Sequence, residues 1–430
     1  MRTRIVNGYV IDPGTGREGP MDLVMEEGFI KTIGGTNGTG VSEQVVDARG
    51  CYIVPGFVDL QVNPGKGVRH IADILPLRGI TTGVFMPCTL TSGEPLMDAC
   101  GGPDGFVAAC GGQACNIVPS LPVVPEDAVG HDAYEKLRVP SGDVKNSVEK
   151  AIEQGFGAIG EAILSLGGPA HVSSEICEDF LDLLLDATSE TGIPVQVHTG
   201  LGLSGIKKAL EVSSGRSMHL CHVGSTCAGD NIHEVMRLLA AHPLVTSDTH
   251  LSEVAGSTSR NSDLVRRYFE EGRVVKVDAA SFDAVPVTDL ENTEPPFYYG
   301  KDNLFTNNLI CAVSPEVDAI ESDELGDGIR SSLLLRNALR LVNTVILEDQ
   351  KMDLLRRLVR KMTIRPAEIL NIPRGVLTEG AAADVVAIDL ANEDVVHVWV
   401  NGCHVVADGC LTGERRGMAL SFAGSFGRNE

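Results

Sequence analysis

Residues 54–65 read VPGFVDLQVNPG. An apolar run ends in the polar Gln61 and Asn63, and a Pro-Gly pair brackets it on either side. A short apolar run bounded by turn residues is the pattern of a buried β-strand. Two polar residues spaced by one along a strand share a face, so Gln61 and Asn63 present their amides together at the strand's end.

Working outward, residues before this strand alternate in short segments: RIVNGYVID, MDLVMEEGFIKTIG and QVVDARGCYIV. The C-terminal stretch repeats that style in GAAADVVAIDL, VVHVWVNG and CHVVADG. Both ends therefore predict one small composite β-sandwich, from residues 1–54 and 372–430. Between them, over residues 55–371, strand patterns alternate with helical ones. The strand candidates after the first are 80–87, 116–124, 157–164, 194–200, 219–224, 244–251, 273–280 and 303–310. Helical segments such as EICEDFLDLLLDATSETG and NIHEVMRLLAAH separate them. This βαβ alternation is that of an α/β protein with a parallel sheet, and so many units predict a (β/α)8 TIM-like barrel. Nine candidates compete for eight places, so one is extra. In such barrels chemistry gathers at the C-terminal ends of the strands. The acidic run SPEVDAIESDELGDG (314–328) reads as a solvated surface loop, or as a lid at the barrel mouth.

The chain has 430 residues, of which 43% are hydrophobic, enough for one large domain and a small one. Its 35 Lys and Arg against 58 Asp and Glu give a net charge of -23, which disfavours nucleic acid and anionic membrane surfaces as partners. No apolar run approaches the length of a membrane span, and the start MRTRIVNGYVID carries no export-like core. Eleven scattered cysteines fit reduced thiols in a cytoplasmic protein.

Several phrases together resemble the amidohydrolase superfamily, closest to its cyclic-amidase branch of dihydroorotases and hydantoinases. They are VVDARGCYIVPGFVDL (45–60), RGITTGVFMPCT (78–89), HVGST (222–226), LVTSDTHLS (244–252), DNLFTNNL (302–309) with GIRSSLLLRNALRLV (328–342), and RPAEILNIPRGVLTEGAAADVVAIDL (365–390). The resemblance covers almost the whole chain. It implies the barrel-plus-sandwich fold and two metals, held by His-x-His on strand one, a carbamylated lysine on strand four, histidines on strands five and six, and an aspartate on strand eight. Carried over, those positions are Gln61 and Asn63, then Glu161, His198, His222, and Asn307 or Asn308. The first-strand pair and the eighth-strand carboxylate are therefore absent on this reading. A strand-four glutamate is used by enamidase-like relatives, and Cys88 matches the metal-binding cysteine of D-aminoacylase-like ones.

Neutral amides do not replace imidazoles for zinc, so Gln61 and Asn63 are candidate substrate-binding residues, as are Asn307 and Asn308. Glu161, His198 and His222, with or without Cys88, are the candidate ligands of one divalent metal, zinc first and manganese or iron as alternatives. A proton carrier is still required, and Asp248 and Asp278 are its candidates, with His250 beside the first. Asp278 is alternatively the strand-eight carboxylate, or a plain structural aspartate. His219 lies on the same strand as His222, as a partner or a further ligand. Arg69 and His70, just beyond the first strand, sit where an anionic substrate group could be held, or form an ordinary surface pair. The expected function is a metal-dependent hydrolase of a cyclic amide or related C–N bond, acting on a small molecule as a homodimer or homotetramer. The alternatives are a non-catalytic hydantoinase-like scaffold and a metal-free lyase or isomerase on the same fold.

Overall fold

The computed structural model describes residues 2–34, 43–128, 137–164, 175–199, 202–226, 232–251, 308, 310–324, 326, 328–343, 345 and 347–422. Eight parallel strands form the barrel. In chain order they are Phe57–Val62, Ile80–Phe85, Asn116–Leu121, Ala158–Leu164, Val195–His198, Met218–Leu220, Val245–His250 and Ala319–Glu321, and each pairs with its sequence neighbour. The eighth returns to the first through a bridge between Val62 and Glu324, with Asn63 N–H donating to Glu324 O at 2.7 Å and Glu324 N–H to Gln61 O at 3.2 Å. The first four strands are buried along their whole length, which is why they read as near-continuous apolar runs.

Strand eight corrects the sequence reading. The run 314–328 is no surface loop, because Ala319–Glu321 is the last barrel strand. Among the described residues, its buried carboxylates are accommodated because they find donors. Asp318 accepts from Ser247 N–H and pairs with Arg365, and Glu324 accepts the N–H groups of Gly326, Gly328 and Ser331 at 3.0, 2.9 and 2.9 Å. The candidate strand 303–310 is not a strand where described, since residues 308 and 310–313 are helical. The candidate strand 273–280 lies outside the described residues.

The helices cover the barrel by amphipathic spacing. In Glu178–Thr191, Phe180, Leu181, Leu184, Leu185 and Thr188 are buried on one face, Glu178 and Asp179 occupy the first turn, and Gly192 ends the helix at φ 80°. Each buried leucine there contributes roughly 1.5–3 kcal/mol.

The termini build two further sheets. One has seven strands in the order Cys410–Leu411, Cys403–Ala407, Asp394–Val400, Val385–Asp389, Tyr52–Pro55, Tyr9–Asp12 and Arg17–Pro20. The other has four, Phe29–Ile33, Leu23–Glu26, Arg2–Val6 and Glu43–Asp47. Ile5, Leu23, Met25, Ile53, Val385 and Trp399 belong to one buried apolar cluster supplied by both sheets. Strand Tyr52–Pro55 leads straight into the barrel through Gly56, where a Cβ would lie 2.0 Å from Thr81 Oγ1. The glycine of the VPGF phrase is thus imposed by a close strand crossing.

The final stretch leaves the sandwich and lies along the barrel. Ile117 N–H donates to Met418 O at 2.9 Å, Leu420 N–H to Ile117 O at 2.7 Å, and Phe422 N–H to Phe156 O at 3.3 Å. Arg415 holds Asp73 through both guanidinium nitrogens. This strap meets the strands at their N-terminal ends, opposite the candidate site. No helix among the described residues is long and apolar enough to cross a membrane.

Candidate metal and catalytic centre

Glu161, His198 and His222 come from the fourth strand, the end of the fifth, and the turn just after the sixth. Glu161 Oε1 lies 2.8 Å from His198 Nδ1 and 3.4 Å from His222 Nε2. The rings of His198 and His222 meet edge-on with centroids 5.2 Å apart. Burial alone would raise Glu161, yet the two imidazoles outweigh it and hold the carboxyl well below its usual range. This donor set, one carboxylate and two imidazoles with ligand atoms within 4.8 Å of one another, fits a divalent metal with an open position.

His222 is held from three sides. Its backbone has φ 54°, a left-handed conformation uncommon for a residue with a side chain. Asp248 Oδ1 accepts the His222 N–H at 2.6 Å, and Asp248 Oδ2 lies 2.9 Å from His219 Nε2, whose Nδ1 reaches Thr246 Oγ1 at 2.9 Å. Glu321 Oε1 lies 2.8 Å from His222 Nδ1 and 2.5 Å from His250 Nδ1, with the His222 and His250 rings stacked at 4.0 Å. Burial disfavours a charged His222, but Glu321 and Glu161 together raise its pKa well above the usual histidine range.

The carboxylates at the end of strand eight are Glu321 and Asp323, the latter 3.8 Å from His250 Nε2 and paired with Arg330. Burial raises the Asp323 pKa even though His250, His222 and Arg330 pull it down. Below them, Asp59 accepts from the Ser322 N–H and hydroxyl, and burial together with Glu321 pushes it well up.

The structure distributes the sequence candidates unequally. It brings Glu161, His198 and His222 together. Asp248 is present but fully buried, with one oxygen engaged by the His222 N–H and the other by His219, which suits holding better than proton transfer. Asn308 does not end strand eight; its Oδ1 accepts from Thr249 Oγ1 at 3.0 Å. Thr249 lies between Asp248 and His250, so its side chain points to the opposite face of the strand from theirs. Cys88 is buried and belongs to none of the ligand clusters found among the described residues. Arg69 and His70 lie on the exposed face of the helix Val68–Ile74. Asp278 and Asn307 lie outside the described residues.

Gln61 and Asn63 are only 1% and 3% exposed. Among the described residues, Gln61 Nε2 and both polar side-chain atoms of Asn63 have no hydrogen-bond partner. Glu321 and Asp323 are hidden in the sequence because a run of acids reads as a solvated loop. The signal was present in Val317, Ala319 and Ile320, an apolar spacing inside the acidic run.

Residues 52–405 match the amidohydrolase family. The chain belongs to this family. A dihydroorotase of Syntrophus aciditrophicus (strain SB) is 26% identical over 417 residues, covering 90% of this chain and 90% of the relative. A D-hydantoinase (dihydropyrimidinase) from Thermus sp. superposes with a TM-score of 0.68 at 15% identity, covering 98% of this chain and 99% of the other. A dihydropyrimidinase from Brevibacillus agri gives 0.65 at 15% identity, covering 98% and 100%. The cyclic-amidase branch implied by the sequence phrases is the branch to which these relatives belong.

Proposed function

We propose that the protein is a metal-dependent hydrolase that opens a cyclic amide, or cleaves a related C–N bond, with a single ion serving the reaction. The observation that carries this reading is the convergence of Glu161, His198 and His222 at the barrel mouth. A divalent ion held by these three, zinc first with manganese or iron as alternatives, would polarise a carbonyl and bring the pKa of a water to about 7. Glu321 supports Nε2 of His222 as the ligand atom, because its carboxylate lies at Nδ1 and favours the proton there. Asp323, raised by burial, is the proton carrier, and Arg330 fixes its orientation. Asp278 stands as the other candidate for that step. Gln61 and Asn63 offer unpaired amide atoms to the donor and acceptor edge of a cyclic amide, which would satisfy groups that burial otherwise leaves costly.

The sandwich taken as residues 1–54 and 372–430, the barrel as 55–371, a cytoplasmic location and a homodimer or homotetramer belong to the same proposal. The test is ring opening of five- and six-membered cyclic amides and imides by zinc-, manganese- or iron-loaded protein, followed by mass spectrometry as the gain of one water. Turnover in the parent, lost at least 100-fold in folded Glu161→Gln and His198→Ala together with their bound metal, supports the reading. Metal-loaded protein that opens no ring of the panel, or variants that keep full turnover, would overturn it.

A further inference from the structure

We propose a second metal position, made of Glu321, His250 and the Nδ1 of His222, on the strand-six-to-eight side of the barrel mouth. It rests on the reading above for its neighbour, since His222 would serve both positions. The ligand atoms of these three residues lie within 4.8 Å of one another, and all three side chains are at most 5% exposed. The stacked rings of His222 and His250, 18° from parallel, aim both Nδ1 atoms at the same oxygen, Glu321 Oε1, at 2.8 and 2.5 Å. Two imidazole nitrogens and one carboxylate oxygen on a common point form a divalent-ion donor set with room for water or substrate. An ion roughly 2.0–2.1 Å from each ligand needs those atoms about 3.3 Å apart, so the contacts must open by less than about 1 Å.

Charge favours the same conclusion. Asp59, Glu161, Asp248 and Glu321 are buried at the centre, with Asp323 beside them paired to Arg330. Burying carboxylates together is costly unless cations or protons accompany them. When both positions are filled, His222 bridges them, Nε2 toward Glu161 and His198 and Nδ1 toward Glu321 and His250.

The experiment strips the full chain with chelator, loads it with zinc chloride, desalts it, and counts bound zinc per chain by mass spectrometry. Near-ultraviolet circular dichroism checks the fold of every variant, and Glu321→Gln removes a ligand with little change of volume. The expected result is two zinc ions in the parent, one in His250→Ala and in Glu321→Gln, and one in His198→Ala. One zinc in the parent that His250→Ala and Glu321→Gln both keep would overturn the second position and leave the first standing. One zinc lost in all three variants would overturn it as well, because a single ion would then use the whole ring. Zinc that His198→Ala keeps, and the other two variants lose, would uphold this position and sink the function proposed above.

Discussion

Asp248 has no exposed surface, and its two oxygens hold the His222 N–H at 2.6 Å and face His219 Nε2 at 2.9 Å. Asp248→Asn keeps the shape. The amide oxygen can still accept from the His222 N–H, and the amide N–H can donate to His219 Nε2. That requires the His219 tautomer with its proton on Nδ1, where Thr246 Oγ1 lies ready at 2.9 Å. Two charge-assisted bonds become neutral ones, a loss of roughly 1 kcal/mol each, so about 2 kcal/mol in all. Asp248→Ala instead strands two buried polar groups at roughly 1–3 kcal/mol each, about 4 kcal/mol together. Urea unfolding of chelator-treated protein measures both without the metal's contribution. Because the carboxylate also fixes the backbone of His222, zinc affinity in Asp248→Asn should fall by about 10–100-fold. The reasoning is refuted if the alanine variant is as mild as the asparagine one, or if zinc binding in either is unchanged.

Lys361 is buried, donates to Cys311 O at 3.0 Å and to Ser314 O, and burial lowers its pKa to about 7. Its unfolded form holds the proton up to about 10.4, so the unfolded chain binds more protons above pH 7. Stability should therefore rise with pH from about 7 to 10, by at most about 1.4 kcal/mol per pH unit, and relative to Lys361→Met this slope should be visible in melts at pH 7, 8 and 9. Asp384 pairs with Arg374 Nε at 2.9 Å, and both side chains are under 10% exposed. Asp384→Ala should cost about 3–5 kcal/mol in urea unfolding, because it strands a buried guanidinium. Gly56→Ala drives a methyl into Thr81 and should cost at least about 1–3 kcal/mol, with Gly56→Ala/Thr81→Ser recovering part of it in the same assay.

The barrel was legible because its strands are short apolar runs set between amphipathic helices, and both periods survive in the sequence. The ligand trio was legible for a related reason, since Glu161 interrupts an apolar strand and His198 and His222 lie at or just beyond strand ends. The rest of the centre depends on pairings that no local pattern records. Glu321 is acceptable inside the barrel only because two imidazoles from distant strands and the Asp323 N–H meet its oxygens. Read locally, its neighbours Asp318, Asp323 and Glu324 look like solvated charge. Asp248 misled in the opposite sense. Its place on strand seven was right, but its role follows from the His222 backbone turning left-handed, which composition does not reveal. Asn308 is not on strand eight, because the family-like phrase DNLFTNNL ends at residue 309 and the strand follows only at Ala319–Glu321.

The strap of residues 415–422 across the barrel's far end has a consequence for how the chain is made. All eight strands and every candidate ligand have emerged from the ribosome before Arg415 can reach Asp73 or Leu420 can reach Ile117. Strand Tyr52–Pro55 likewise waits for Val385–Asp389, its partner from the other end of the sequence. Contacts of such long sequence separation form slowly. Barrel and sandwich should thus lock together only after synthesis is essentially complete, and nascent chains stalled before residue 385 should stay protease-sensitive even with the whole metal centre already translated.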